Sequence, residues 1–268
     1  MKITHSELKI STLRLHLTSL LHPEIFKEEK KYIFVISHMR CFSTLLCHIL
    51  GSNDQISGYS EMLHPYDGNS DLMRLRYWTY LTQGRQNKGN FVLDKILHNE
   101  FTVPEAFLKD QNFRFVFLLR KPEETFSSIR RMVKNDRGVF NGWYDNQQLV
   151  LDYYTNRLAE MENECRQTNG NSVFIPSERL IENSESVLKS LGDWLDIEDP
   201  LKTTYQMFRY SGLPCFGDPS FRNKKMKIDT HHMVNTTDHC ASPEITAIAE
   251  KNYTRCYDTL SSNCTCIN

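Results

Sequence analysis

Arg40, Ser43 and Thr44 are the residues whose types and spacing first suggest chemistry. They lie between an apolar run, Tyr32-Ile33-Phe34-Val35-Ile36, and a helix-forming run, Leu45-Leu46-Cys47-His48-Ile49-Leu50-Gly51. A strand that feeds a short turn into a helix brings unpaired backbone N–H groups and the positive end of the helix dipole to one point. Such a point binds anions, and a phosphate or sulfate group suits it. The nucleoside-triphosphatase loop G-x-x-x-x-G-K-[ST] is not matched, since no Gly-Lys pair occurs in the chain. Taken alone, the turn is equally well explained by a helix cap beside a solvated arginine.

The surrounding elements weigh against that plainer reading. Two further cations follow apolar runs: Lys95 after Phe91-Val92-Leu93-Asp94, and Arg120 after Phe113-Arg114-Phe115-Val116-Phe117-Leu118-Leu119. Runs without polar alternation predict strands buried on both faces. Pro122 with Glu123 and Glu124 predicts a helix start, carried on through Phe126, Ile129 and Met132. Further helices are predicted over 6–21, 71–81, 147–166, 181–195, 201–210 and 242–260, with extended pieces over 56–59 and 172–175. Strands alternating with helices, and no internal repeat or linker, give an α/β fold. The expectation is one domain over 1–268 with a central parallel sheet flanked by helices. Ligands of such sheets bind beyond the carboxyl ends of the strands. Arg40, Lys95 and Arg120 should therefore converge there on a polyanion.

Composition narrows the partners. The 268 residues are 40% hydrophobic and 24% charged, with a formal net charge of -1. That balance describes an ordinary globular chain with no basic field for nucleic acid. No run of eighteen apolar residues predicts a membrane span, and Met1 to Leu21 lacks the uninterrupted apolar core of a signal peptide. No metal is expected: Cys264-Thr265-Cys266 is an isolated pair, and no C-x-x-C occurs. Reduced thiols in the cytosol are the default reading. Against it, four cysteines and the sequons at Asn235, Asn252 and Asn263 crowd the last thirty-four residues, a pattern suited to a secretory lumen.

These residues resemble the sulfotransferases that use 3′-phosphoadenosine-5′-phosphosulfate (PAPS). Met39-Arg40-Cys41-Phe42-Ser43-Thr44-Leu45-Leu46 is similar to that family's first loop, Pro-[Lys/Arg]-x-Gly-[Thr/Ser]-[Thr/Ser]-[Trp/Leu]-Leu. Arg120, with Ser128 eight residues on, resembles its arginine and serine for the 3′-phosphate. Pro176-Ser177-Glu178-Arg179-Leu180 echoes a Tyr-Glu-Asp-Leu segment. Gly217-Asp218-Pro219-Ser220, followed by Arg222, Lys224, Lys225 and Lys227, resembles a basic loop that closes over the nucleotide. The resemblance spans roughly 32 to 230. It implies a P-loop-like sulfotransferase architecture and PAPS as sulfuryl donor, held by Arg40, Cys41, Phe42, Ser43, Thr44, Arg120, Ser128, Arg222 and Lys224. Two positions depart from it. Phe42 stands at the usual glycine, and Ser177 replaces an aromatic residue expected near the adenine.

The same resemblance implies catalytic roles. Lys95 corresponds to a lysine at the end of its strand and, with Arg40, would steady the transferring group. The plain alternative is a surface lysine paired with Asp94. Glu61, twenty-one residues after Arg40, corresponds to the base of the tyrosylprotein and heparan-type branches. His98 is its rival, and His64 a third candidate. Trp78, Tyr77 and Tyr80 suit a core or an acceptor-pocket wall. The expected activity is sulfuryl transfer to a hydroxyl or amine, with lipid, sugar, peptide and small phenol acceptors all open. A nucleoside-triphosphate kinase and a catalytically silent nucleotide-binding relative are the alternatives.

Overall fold

The computed structural model describes residues 17–18, 20–27, 29–83, 89–135, 146–213, 216, 226–229 and 241–268. The basic stretch with Arg222, Lys224 and Lys225 lies outside them, as does most of the helix predicted over 6–21. In chain order the elements are α1 (Glu24–Lys27), β1 (Lys31–Ser37), α2 (Ser43–Gly51), β2 (Ile56–Ser57), α3 (Asn69–Gln83) and β3 (Phe91–Ile96). There follow α4 (Glu105–Leu108), β4 (Phe113–Leu119), α5 (Pro122–Asn135), α6 (Gln147–Gln167), β5 (Ser172–Pro176), α7 (Arg179–Glu182) and α8 (Ser184–Leu195). The last are α9 (Pro243–Asn263) and β6 (Thr265–Cys266).

The six strands among the described residues join one parallel sheet in the order β2-β3-β1-β4-β5-β6. β1 lies between β3 and β4, and the chain builds outward to both sides of it. The carboxyl end of β1 is therefore the topological switch point where such sheets bind ligands. Burial on both faces explains the apolar runs. Ile33, Phe34, Val35 and Ile36 are all 0% exposed, and each such side chain contributes about 1.5–3 kcal/mol of burial. Alternation sends Tyr32, Phe34 and Ile36 into one core with α3, α6 and α9, and Ile33 and Val35 into another with α2 and α8.

Alternation also decides the direction of Lys95. It lies within β3, second from its end, rather than beyond it. It shares the α2 face with Leu93, whereas Asp94 shares the opposite face with Val92 and Ile96. Neighbours in a strand cannot pair across the sheet, which removes Asp94 as the partner of Lys95.

Other expectations are corrected. The helix predicted over 201–210 does not form. Tyr205 N–H donates to Met226 C=O, Ile228 N–H donates to Thr203 C=O, and Thr204 bridges Lys227 antiparallel. Thr203, Thr204 and Tyr205 favour extended backbone, and that pairing satisfies it. The helix predicted over 181–195 is broken at Asn183, whose φ of -124° and ψ of 37° lie outside the helical region. β6 was not predicted. Two residues carry no periodic signal, and β6 exists only because α9 returns the chain beside β5.

The 201–213 segment packs on α2 through His48. The His48 Nδ1–H donates to Thr44 C=O at 2.8 Å, the Ser211 hydroxyl donates to Nε2 at 2.7 Å, and Phe208 N–H donates to the Ser211 Oγ at 2.9 Å. This chain of donors requires a neutral ring, and burial lowers its pKa to about 4. With the folded value depressed, the stability is fully present above the unfolded value near 6.5 and is lost as pH falls toward 4. His48→Gln is expected to reduce the slope of unfolding free energy between pH 6 and 4.5 by about 1.4 kcal/mol per pH unit, read from urea unfolding. An unchanged slope would mean that His48 is not held neutral.

Candidate active site

The loop from β1 to α2 has an unusual backbone. Arg40 and Phe42 occupy the left-handed region, with φ of 65° and 56°. Each costs on the order of 1–2 kcal/mol for a residue with a Cβ. The position where the sequence comparison expects glycine therefore does take a left-handed conformation, and Phe42 adopts it at a cost. The first helical bond of α2 runs from Leu46 N–H to Phe42 C=O. The amides of Ser43, Thr44 and Leu45 precede it, no side chain caps them from the Phe42 position, and the first turn has no acidic residue. These features leave the positive end of α2 suited to an exogenous anion.

On one side of this turn, Lys95 Nζ donates to Thr44 Oγ1 at 3.2 Å and forms an ion pair with Glu61 Oε1 at 2.7 Å. The other Glu61 oxygen lies 3.7 Å from His98 Nε2. Both members of the pair are buried, the Lys95 side chain at 1% exposure and that of Glu61 at 9%. Burial, the largest influence, disfavours the ammonium, but Glu61, Cys47 and Asp94 together outweigh it and the Lys95 pKa is raised. Lys95 is thus a fixed cation. Its carboxylate partner faces a half-exposed imidazole, with one oxygen on each neighbour.

Glu61 is held by the strand from which Lys95 projects. Asp94, on the opposite face, accepts from Met62 N–H at 2.9 Å and from the Tyr66 hydroxyl. Burial pushes its pKa up to about 7, against those two donors. Gly58, at φ 116°, lets the loop pass β3, since a Cβ there would come within 2.3 Å of Leu93 C=O. Behind Glu61, Ser60 Oγ accepts from Trp78 Nε1 at 3.1 Å, and Trp78 stacks on Phe216, which stacks on Tyr210. Tyr77 and Trp78 are core residues, Tyr80 packs partly buried against them, and His64 pairs with Asp71.

On the other side of the turn, Arg120 leaves β4 and lies over Phe42, its Cζ 4.2 Å from the ring centroid. Its Nη1 donates to Arg40 C=O at 2.9 Å and its Nε to Glu124 at 3.0 Å. Ser128, one face of α5 further on, accepts from Arg40 Nε at 2.9 Å. The eight-residue spacing places Ser128 beside Arg40 directly, and beside Arg120 only through Arg40. Cys41 is fully buried under the loop, and Ser177 is 0% exposed, so it forms no surface against which a base could lie.

Sequence reasoning missed the residues that brace these strand ends. His38 Nδ1–H donates to Met39 C=O, and Arg120 N–H donates to His38 Nε2, so the ring is neutral; burial lowers its pKa to about 3. From α6, the Tyr153 hydroxyl accepts from Met39 N–H and donates to Leu97 C=O, both at 2.7 Å, while Tyr154 donates to Arg120 C=O. Arg157, 0% exposed, donates to Ser37 C=O and Ile96 C=O and pairs with Glu164. These side chains satisfy carbonyls where the sheet ladder ends. One signal was available: three polar side chains at 153, 154 and 157 on one helix face, amid apolar neighbours.

The arrangement offers a helix N-terminus with no side-chain cap from Phe42, two arginines, a buried lysine and a carboxylate within one strand-end cluster. It can hold a polyanion and present a proton acceptor beside it. Among the described residues, no helix is long and apolar enough to cross a membrane, and no group of three His, Cys, Asp or Glu side chains is placed to hold a metal. No protein-family model matches the chain, and no curated protein matches it. Solved structures that share its architecture include two sulfotransferase domains. The sulfotransferase domain from the curacin biosynthetic pathway aligns with a TM-score of 0.56 and 18% identity, covering 83% of this chain and 97% of that domain. The sulfotransferase domain from the Synechococcus PCC 7002 olefin synthase aligns with a TM-score of 0.53 and 15% identity, covering 84% of this chain and 96% of that domain. The parallel α/β fold is thus that of sulfotransferase domains.

Proposed function

We propose that the protein is a PAPS-dependent sulfotransferase acting on a hydroxyl or amine acceptor, with Glu61 as general base. The observation that carries this reading is the contiguity of Glu61, Lys95 and Thr44 on one side of the first turn of α2, with Arg40, Arg120 and Ser128 on the other. The shared fold supports it at the level of reaction class.

When bound, PAPS supplies the sulfuryl group and a phosphate leaving group. The residues present fit such a molecule: the first-turn amides of α2, a cation and hydroxyls at one end, and a pair of guanidinium groups with a serine at the other. Ser43, Thr44 and the α2 amides hold the 5′ end; Arg40, expected from the sequence beside the transferring group, bonds Ser128 and in this proposal joins Arg120 on the 3′-phosphate. Arg222 and Lys224 are further nucleotide contacts in this proposal. Transfer between two oxygens asks for positioning and charge stabilisation more than for covalent chemistry. Lys95 provides a cation that needs no reorganisation, because Thr44 and Glu61 already orient it. Glu61 takes the acceptor proton and His98 lies on its outer side.

Glu124 tempers the affinity. Its carboxylate neutralises Arg120 from the next helical turn, and the pair is only partly buried. Glu124→Gln is expected to tighten binding of adenosine 3′,5′-bisphosphate by about two- to fivefold in calorimetry, the size of a partly exposed ion pair. Weaker binding would make Glu124 a support for Arg120 rather than a competitor.

A catalytically silent nucleotide-binding protein is the second reading, favoured by the closeness with which Lys95 and Glu61 neutralise each other. Transfer from labelled PAPS to a panel of hydroxyl and amine acceptors, together with thermal shifts, separates the possibilities. The bisphosphate at a hundredfold excess over its Kd should raise the melting temperature by roughly 5–10 °C, and ATP with magnesium should not. Stabilisation without transfer selects the silent reading. Stabilisation by ATP with magnesium alone selects a kinase, and none by either ligand removes the site.

A further inference from the structure

Cys165 and Cys264 are 99 residues apart in the chain, yet their sulfur atoms lie 3.2 Å apart. Cys165 is a buried residue near the carboxyl end of α6; Cys264 caps α9 and immediately precedes β6. Among the described residues, the other nearby thiols are directed elsewhere. Cys256 Sγ faces Leu158 C=O, and Cys266 Sγ faces Ser261 C=O. From this geometry we propose that Cys165 and Cys264 are a disulfide-forming pair that locks the last strand of the sheet to α6.

The two thiols are unequal in a way that suits the reaction. Cys264 is half-exposed, and the hydrogen bond from Cys165 lowers its pKa, whereas Cys165 is raised by that bond and by burial. Cys264 thiolate attacks a small-molecule disulfide such as oxidised glutathione, forming a mixed disulfide and releasing one thiolate, which takes a proton. Cys165 then loses its proton and attacks the Cys264 sulfur, expelling the second thiol. One disulfide is reduced to two thiols, and the protein gains one bond and loses two hydrogens. The sulfurs need to approach by about 1.2 Å to reach bonding distance.

The bond would close a long loop and secure a weakly held element. β6 is two residues long and pairs with β5 only at Val173–Thr265 and Phe174–Cys266, with Ile267 N–H donating to Phe174 C=O. Long loops gain most from closure. The cytosol would keep the pair as a dithiol, and an oxidising lumen would close it.

The test oxidises the full-length protein with glutathione disulfide, quenches with N-ethylmaleimide, and maps peptides under non-reducing conditions. Cys165 and Cys264 are expected in one linked peptide, two hydrogens lighter and unalkylated. The melting temperature should rise by about 10 °C over the dithiothreitol-treated protein. Cys165→Ser and Cys264→Ser should each lose that rise, while Cys266→Ser and Cys256→Ser keep it. Full alkylation of both thiols in the oxidised wild type overturns the proposal. So does a bridge from Cys264 to any other cysteine, or a rise that survives Cys264→Ser.

Discussion

Glu61→Gln is expected to lower turnover by roughly 10²–10⁴-fold, the usual worth of a positioned base, while the affinity for adenosine 3′,5′-bisphosphate stays within about threefold. Glutamine keeps the shape of glutamate and an oxygen for the Lys95 ammonium 2.7 Å away, but it cannot take a proton. The nucleotide contacts assigned to Arg40, Arg120 and Ser128 lie across the turn and are untouched. The substitution has a second consequence. Lys95 is buried, and Glu61 is the foremost of the groups that together offset that burial and raise its pKa. Without the carboxylate the lysine loses its compensation, and removing one partner of a buried ion pair costs about 3–5 kcal/mol. The variant should therefore also melt lower and show a rate that declines at an earlier alkaline pH than wild type. A near-wild-type rate would transfer the base to His98, and a double variant at 61 and 98 would then be the one to lose activity.

Arg120→Ala should weaken bisphosphate binding by about 10²–10⁴-fold, since charge-assisted hydrogen bonds contribute roughly 1.5–3 kcal/mol each and a guanidinium supplies two. Arg120→Lys should recover little of this, because an ammonium neither stacks over Phe42 nor presents a fork. Arg120 also holds Arg40 C=O, so its loss could act through the loop. Phe42→Leu separates the two effects. It removes the ring beneath the guanidinium without removing a donor, and a loss of only a few-fold is expected from a cation–π contact. Unchanged affinity in Arg120→Ala would place the 3′-phosphate elsewhere and take the proposed nucleotide orientation with it.

The central strand, the turn after it, and the helix start at Pro122 are readable from neighbouring residues, because each is a local decision. A continuous apolar run can satisfy itself only between two packed faces, and a proline with two glutamates suits the first turn of a helix wherever that helix lies. The cations at the strand ends were legible for the same reason: once the sheet is parallel, its carboxyl edges coincide. Which groups meet at that edge was not legible. Pairing Lys95 with Glu61 rather than Asp94 depends on the pleat of β3, and on Gly58 letting the loop from β2 pass Leu93. Ser128 reaches Arg40 because α5 packs beside the first loop, a relation that spacing from Arg120 cannot express. His38, Tyr153, Tyr154 and Arg157 carry no motif, since their role is to satisfy carbonyls exposed only when three strands end together. β6 and the extended pairing of 203–205 with 226–228 exist only once the chain has folded. Both obtain their hydrogen bonds from partners distant in the chain, and no local propensity encodes a partner that folding must first bring near.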